Sequence, residues 1–190
     1  LRKKIGKIVA PSQINSQWME EPKEHEFNEP MLLYVGRIRK EKGIYSLLSL
    51  LKENKTNLTL SIVGAEKNSS TLIAQSGVNI YEVENNEQNL IKFYDDHNIF
   101  VLPSYTEGHP MVLLEALSRL RPVIVFKDIE HVIGDKKGIF VADRNLNSFL
   151  EQINYIKKNY KTIQQDMKKN KLPTKEEFLL KFSNLISELS

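Results

Sequence analysis

From Pro30 onward the chain alternates short apolar runs with glycines, prolines and polar stretches. Residues 31–35 form a continuous apolar run closed by Gly36, the pattern of a strand buried on both faces. Residues 58–63 (ended by Gly64), 78–83, 98–102 (stopped by Pro103), 122–126 and 138–142 repeat it, so six strands are predicted. Between them the apolar spacing becomes helical. Residues 44–51 carry leucines at 47, 48, 50 and 51 after Gly43, residues 87–94 set Leu90, Ile91 and Tyr94 on one face, and residues 110–120 follow. A polar helix is expected over 69–75. Two long helical stretches are expected over 145 to about 169 and over 175–189, parted by Pro173.

Strands of about five residues alternating with helices of about ten predict right-handed βαβ units, and hence an α/β, Rossmann-like, doubly wound parallel sheet. In such sheets ligands sit beyond the C-terminal ends of the strands. That rule picks out the loops 36–43, 64–68, 84–87, 103–110 and 127–137. Residues 1–30 are less regular. A short strand over 5–10 and a helix over 12–20 capped by Ser12 are expected, and the polar stretch 20–26 with Pro22 reads as a linker.

Composition narrows this picture. Apolar residues make up 41% and charged residues 27%, which suits a globular core and excludes a disordered chain. The formal charge of +3 is too mild to argue for a nucleic-acid partner. The absence of cysteine excludes disulfide scaffolds, thiolate metal sites and a cysteine nucleophile. His25, His97 and His131 show no metal-like spacing. No apolar run reaches the roughly 18 residues of a membrane span. The chain begins at Leu1, and a piece of a longer protein is expected.

Two loops carry candidate chemistry. In the first, Gly36 and Gly43 bracket arginine and lysine positions including Arg37 and Lys42, cations suited to phosphates on a backbone able to approach a ligand closely. It is neither a P-loop nor a GxGxxG element, and a solvated basic turn is the competing reading. In the second, Pro103-Ser104-Tyr105-Thr106-Glu107-Gly108 leads into a helix with Pro110 at its first position. The N–H groups around Gly108 to Val112 then form an anion site at the helix N-terminus. Glu107 is read as a capping carboxylate or as an acceptor for ligand hydroxyls. Glu115, set among apolar neighbours, is read as lining the pocket or as paired. A glycosidase pair of carboxylates fits this placement poorly.

Together these residues resemble the C-terminal domain of GT-B retaining glycosyltransferases of group 1, or family 4. Gly36, Arg37, Lys42 and Gly43 match its G-R-x4-K-G element. Pro103, Ser104, Glu107, Gly108 and Glu115 match P-S-x2-E-G-x6-E, which contains the E-x7-E motif. Pro122 to Ile124, Glu130-His131-Val132-Ile133 and Gly138-Ile139-Phe140-Val141 resemble later stretches of the same family. Departures fall at Leu120 and Glu82, where a small residue or glycine is usual, and at Phe126-Lys127-Asp128-Ile129, where glycines are usual.

The resemblance implies residues 29–190 as a nucleotide-sugar-binding domain preceded by a segment or linker over 1–28. Arg37 and Lys42 would bind the diphosphate and stabilise its departure. Glu107 would accept from the donor sugar's hydroxyls, and the backbone from Gly108 through His109, Pro110 and Met111 to Val112 would hold sugar and phosphate oxygens. Glu115 would bind the ribose, and Val83 would offer a backbone contact to the base. The donor would be a UDP- or GDP-sugar, used without a metal. The acceptor would be a glycan or lipid-linked sugar bound on a separate N-terminal domain, without which the domain is expected to be inactive. A cytoplasmic setting, at the inner face of the membrane, is expected. The last helix, with Phe178, Leu179, Phe182, Leu185, Ile186 and Leu189 at helical spacing, is read either as crossing back to that domain or as packing on its own. A non-catalytic nucleotide-sugar module and a GT-B sugar epimerase remain as alternatives.

Overall fold

A computed structural model describes residues 13–24, 26–53, 58–66 and 76–187. Among them are six strands: β1 Met31–Val35, β2 Thr59–Ala65, β3 Val78–Glu82, β4 Ile99–Leu102, β5 Val123–Phe126 and β6 Ile139–Ala142. All pair in parallel, in the order β3-β2-β1-β4-β5-β6. This is the doubly wound order, in which the chain reverses direction across the sheet between β1 and β4. Every residue of β4 and β5 is buried, as continuous apolar runs require at the centre of a covered sheet. The exposed third strand alternates and sits at the edge.

The helices are α1 Ile44–Glu53, α2 Glu87–Asp95, α3 Met111–Ser118, α4 Leu146–Met167 and α5 Lys175–Ser187. Side-chain caps start three of them: Asn86 accepts from the Asn89 N–H, Asn145 from the Ser148 N–H, and the Thr174 hydroxyl oxygen from the Glu177 N–H. The expected strand over 5–10 and the helix over 69–75 lie outside the described residues. Several boundaries differ from expectation, three of them informatively. β2 runs through Gly64 to Ala65 with a register shift there, so Gly64 marks an irregularity and not a stop. Over 13–20 the expected helix is reduced to a 3-10 turn at Ser16–Met19, and its expected cap, Ser12, lies outside the described residues. Pro110 lies one residue outside α3, with an extended ψ of 117°.

The polar stretch 20–26, expected as a linker, is strapped to the domain. Arg119 donates to the carbonyls of Trp18, Glu20 and Glu21, and Arg121 to those of Tyr94 and Lys23. Both guanidinium groups are buried beside Asp95, which Arg119 grips with two bonds of 2.8 and 2.9 Å. Upstream, Trp18 packs edge-on against Tyr94, and Ile14 bridges to Thr174. No short-range pattern announces these contacts, because the arginines and the strap carbonyls they hold lie 98 to 101 residues apart.

Leu120 ends α3 in the left-handed region, with φ 57°. The Arg121 N–H reaches back to the Ala116 carbonyl and the Leu120 N–H to that of Leu117, a Schellman closure that normally uses glycine. The backbone strain of about 1–2 kcal/mol is outweighed by burial of the leucine side chain, about 1.5–3 kcal/mol. The Leu120 side chain is only 4% exposed. The last helix is bonded to the domain at its first turn, through the Lys175 N–H to the Ile14 carbonyl, but has no buried residue, and Leu179, Leu180, Phe182 and Ile186 are exposed.

Removing the charge that Arg119 and Arg121 share is the sharpest test of this framework. Asp95→Asn should destabilise the domain by about 3–5 kcal/mol, because it leaves buried cations short of their counter-charge. Urea unfolding of both proteins measures it.

Candidate functional site

β1 and β4 are paired only at Leu32–Ile99 and Leu33–Phe100. Beyond that point the strands lead to different loops, and a cleft of ≈ 530 Å³ opens between them. It lies at the switch point, where the doubly wound topology places ligands. Of the residues expected at the site, Gly36, Arg37, Lys42, Glu107, His109, Pro110, Met111 and Val112 line it. Tyr34, Arg39, Glu41 and Leu102 join them. Gly108 is outside the lining, with open space where a Cβ would stand. Val83, 52% exposed past the end of β3, and Glu115 are also outside it.

The first wall is the loop after β1. Tyr34 is buried and its hydroxyl donates to the Arg37 carbonyl at 2.8 Å, folding the loop back over the strand end. Burial, and then the carboxylates of Glu107 and Glu41, push this phenol above its ordinary range, so it stays a protonated donor. A 3-10 turn at Lys40–Lys42 follows, closed by Gly43 at φ 68°. A Cβ on Gly43 would stand 1.8 Å from the Pro103 carbonyl oxygen. This glycine therefore serves contact between the two loops, where the sequence suggested close approach to a ligand.

The second wall is the loop after β4 and the start of α3. Lys42 Nζ lies 2.7 Å from Glu107 Oε1, and the Ser104 hydroxyl donates to the same oxygen at 2.7 Å. The Tyr105 N–H donates to the Glu41 carbonyl at 3.0 Å, so the loops are joined by backbone as well as by charge. The His131 ring nitrogen Nε2 is 2.7 Å from the Glu107 carbonyl oxygen. Because Pro110 is the residue before the helix, it offers no side-chain acceptor and makes no side-chain cap bond to the first turn. The uncapped end, with Met111 and Val112, faces the cleft.

Glu115 follows one turn later on α3 and is paired: the Tyr94 hydroxyl donates to its Oε2 at 2.8 Å. Burial raises the Glu115 carboxyl above its ordinary range; the Tyr94 bond opposes the shift and Glu87 adds to it. Ser104 and His131 fall inside the matched motif stretches, but the sequence assigns neither a role at the site, nor one to Tyr34 or Tyr94. A lone tyrosine carries no spacing signal, and Tyr94 meets Glu115 from a different helix. Arg144, from the turn between β6 and α4, also reaches the Glu107 loop from behind. Among the described residues no three histidine, aspartate or glutamate side chains converge as a metal site, and no helix is long and apolar enough to cross a membrane.

Gly43→Ala tests how the walls are joined. The methyl meets backbone at a left-handed residue, so the loops must separate. The expected cost is at least about 1–2 kcal/mol from the backbone conformation alone, with loss of the Lys42–Glu107 contact. Thermal unfolding and a crystal structure of the variant check both.

Comparison with known proteins agrees with this architecture. The family described as Glycosyl transferases group 1 matches residues 17–174. The chain is 27% identical over 154 residues to the putative teichuronic acid biosynthesis glycosyltransferase TuaC of Bacillus subtilis, covering 78% of this chain and 39% of that protein. It is 28% identical over 155 residues to the capsular polysaccharide biosynthesis glycosyltransferase CapM of Staphylococcus aureus, covering 74% of this chain and 40% of that protein. The chain thus spans about two fifths of the length of these relatives. Among solved structures, Anabaena Alr3699/HepE, in complex with UDP and glucose, superposes with a TM-score of 0.67 at 13% identity over 83% of this chain and 48% of its own. The sheet order, the cleft at its switch point and the match over most of the chain lead to one conclusion: this chain belongs to the group 1 glycosyltransferases and has the fold of the C-terminal Rossmann-like domain of a GT-B enzyme.

Proposed function

We propose that the domain binds a nucleotide-sugar donor and that the longer protein transfers the sugar, with retention, to a glycan or lipid-linked acceptor in cell-surface polysaccharide synthesis. The observation that carries this reading is the Lys42–Glu107 pair set against the uncapped end of α3, with Arg37 on the same cleft. An ammonium has three donors. One is spent on Glu107, and the others are available to a diphosphate at the helix end. Diphosphate there would be drawn by the cations and by the helix dipole together. Glu107 Oε2 would accept from a donor sugar hydroxyl while Oε1 keeps Lys42 and Ser104 in place. As the glycosidic bond to phosphate breaks, negative charge grows on the leaving diphosphate, and preorganised cations stabilise it without a metal. Glu115 would take the ribose hydroxyls. The two curated relatives, named for teichuronic acid and capsular polysaccharide, suggest the acceptor class.

Calorimetry against UDP, GDP and ADP tests the donor site. One nucleotide should bind the wild type. Lys42→Ala should weaken it by about 1.5–3 kcal/mol, the worth of a charged hydrogen bond, or on the order of 10- to 100-fold. The Lys42 side chain is 35% exposed, which favours the lower end. Binding of none of the three overturns the reading.

Glu115 separates function from stability. Its folded carboxyl binds a proton more tightly than the unfolded one, so the fold loses stability as pH rises through the raised value. Glu115→Gln should therefore be more stable than wild type at neutral pH and lack that part of the pH dependence. The same substitution should lower nucleotide affinity, because a neutral amide accepts more weakly from ribose than a carboxylate does. Unfolding curves across pH, paired with calorimetry, report the two effects with opposite sign.

A further inference from the structure

Arg144 stands in the turn between β6 and α4, yet most of its partners belong to the loop after β4. Its Nη1 donates to the Pro103 carbonyl at 3.0 Å and its Nη2 to the Ser104 carbonyl at 3.3 Å. Nε and Nη2 both reach Asp128 Oδ2, at 3.2 and 2.7 Å. The guanidinium carbon lies 4.0 Å from the centre of the Tyr105 ring and 4.5 Å from that of Phe126. Both the edges and the plane of the group are in use, with the side chain 18% exposed. Only a flat, forked cation makes all these contacts at once; lysine offers a point charge on a flexible stem.

The three residues it holds, Pro103 to Tyr105, connect buried β4 to Glu107. Each of them sets the cleft. The Pro103 carbonyl fills the space that Gly43 leaves, Ser104 Oγ bonds the Glu107 carboxylate, and the Tyr105 N–H bonds the Glu41 carbonyl. We propose that Arg144 is a positioning residue of the donor site, fixing the loop that places Glu107 against Lys42. It acts from outside the cleft, through Ser104 and Tyr105. The proposal rests on the donor-site reading for its effect on binding, but its effect on the loop stands apart from that reading.

The test has two arms, on Arg144→Ala and Arg144→Lys. In the first, hydrogen exchange by NMR reads the Tyr105 amide, with the Phe100 amide, bonded to Pro122 in the sheet, as the control for global unfolding. Both variants should exchange faster at Tyr105, on the order of tenfold for a loss of about 1.4 kcal/mol, with Phe100 unchanged. Wild-type exchange at Tyr105 in Arg144→Ala overturns the proposal, as does an equal acceleration at both amides. In the second arm, calorimetry with UDP-glucose and GDP-mannose is run on the wild type, on Arg144→Ala, on Glu107→Gln and on the double variant. Arg144→Ala should weaken binding several-fold in the wild-type background and cost nothing more in Glu107→Gln. Equal losses in both backgrounds overturn the proposal. If the wild type binds neither sugar nucleotide nor nucleoside diphosphate, the donor-site reading falls, and the exchange arm alone decides whether Arg144 holds the loop.

Discussion

β1 and β4 run side by side for two register pairs, and the chain then leaves them in different directions. Most of the cleft follows from that parting. Strand ends that diverge at the centre of a sheet cannot cover each other, so the loops that follow must meet across the gap. Here they meet through three kinds of contact: a carbonyl packed where a Cβ is missing, a backbone hydrogen bond, and an ion pair between Lys42 and Glu107. Of the three, the ion pair is the one made by side chains, and so the one whose charges a ligand can share. The site is therefore preformed in its backbone and adjustable in its charges.

Behind this front, the buried cluster of Asp95, Arg119 and Arg121 does a different job. It ties the ends of α2 and α3 to the carbonyls of the residues that precede β1. Burying guanidinium groups is costly, and the cost is met by giving them carbonyl and carboxylate partners. Among the described residues no buried side-chain polar atom is left without a partner. The strap is thus part of the domain's own architecture, fixed by contacts far apart in sequence.

Much of this was legible in the chain itself. The strands 31–35, 98–102 and 122–126 were readable because continuous apolar runs bounded by glycine and proline have few other uses. The loops after β1 and β4 were readable because the sheet's topology points at them. What could not be read was whatever depends on side chains meeting across the fold. Glu115 could be placed on a helix among apolar neighbours, but its partner Tyr94 lies on another helix. Pro110 suggested a helix start and missed by one residue, because proline's fixed φ suits both the cap and the first turn. Leu120 looked like a departure from a glycine position. The structure shows that position keeping the left-handed backbone while leucine fills the core.

The edge-on contact between Trp18 and Tyr94 has an optical consequence. The chain contains one tryptophan, so emission excited at the red edge, where tyrosine does not absorb, comes from a single indole. That indole is 3% exposed, with its ring 5.4 Å from Tyr94 and its N–H held by Glu87. Tyr94 in turn holds Glu115. One fluorophore therefore sits two contacts away from the carboxylate at the edge of the site, on the strap that crosses the domain. Unseating Trp18 would expose the indole to water and move its emission to longer wavelength, with no label added to the protein.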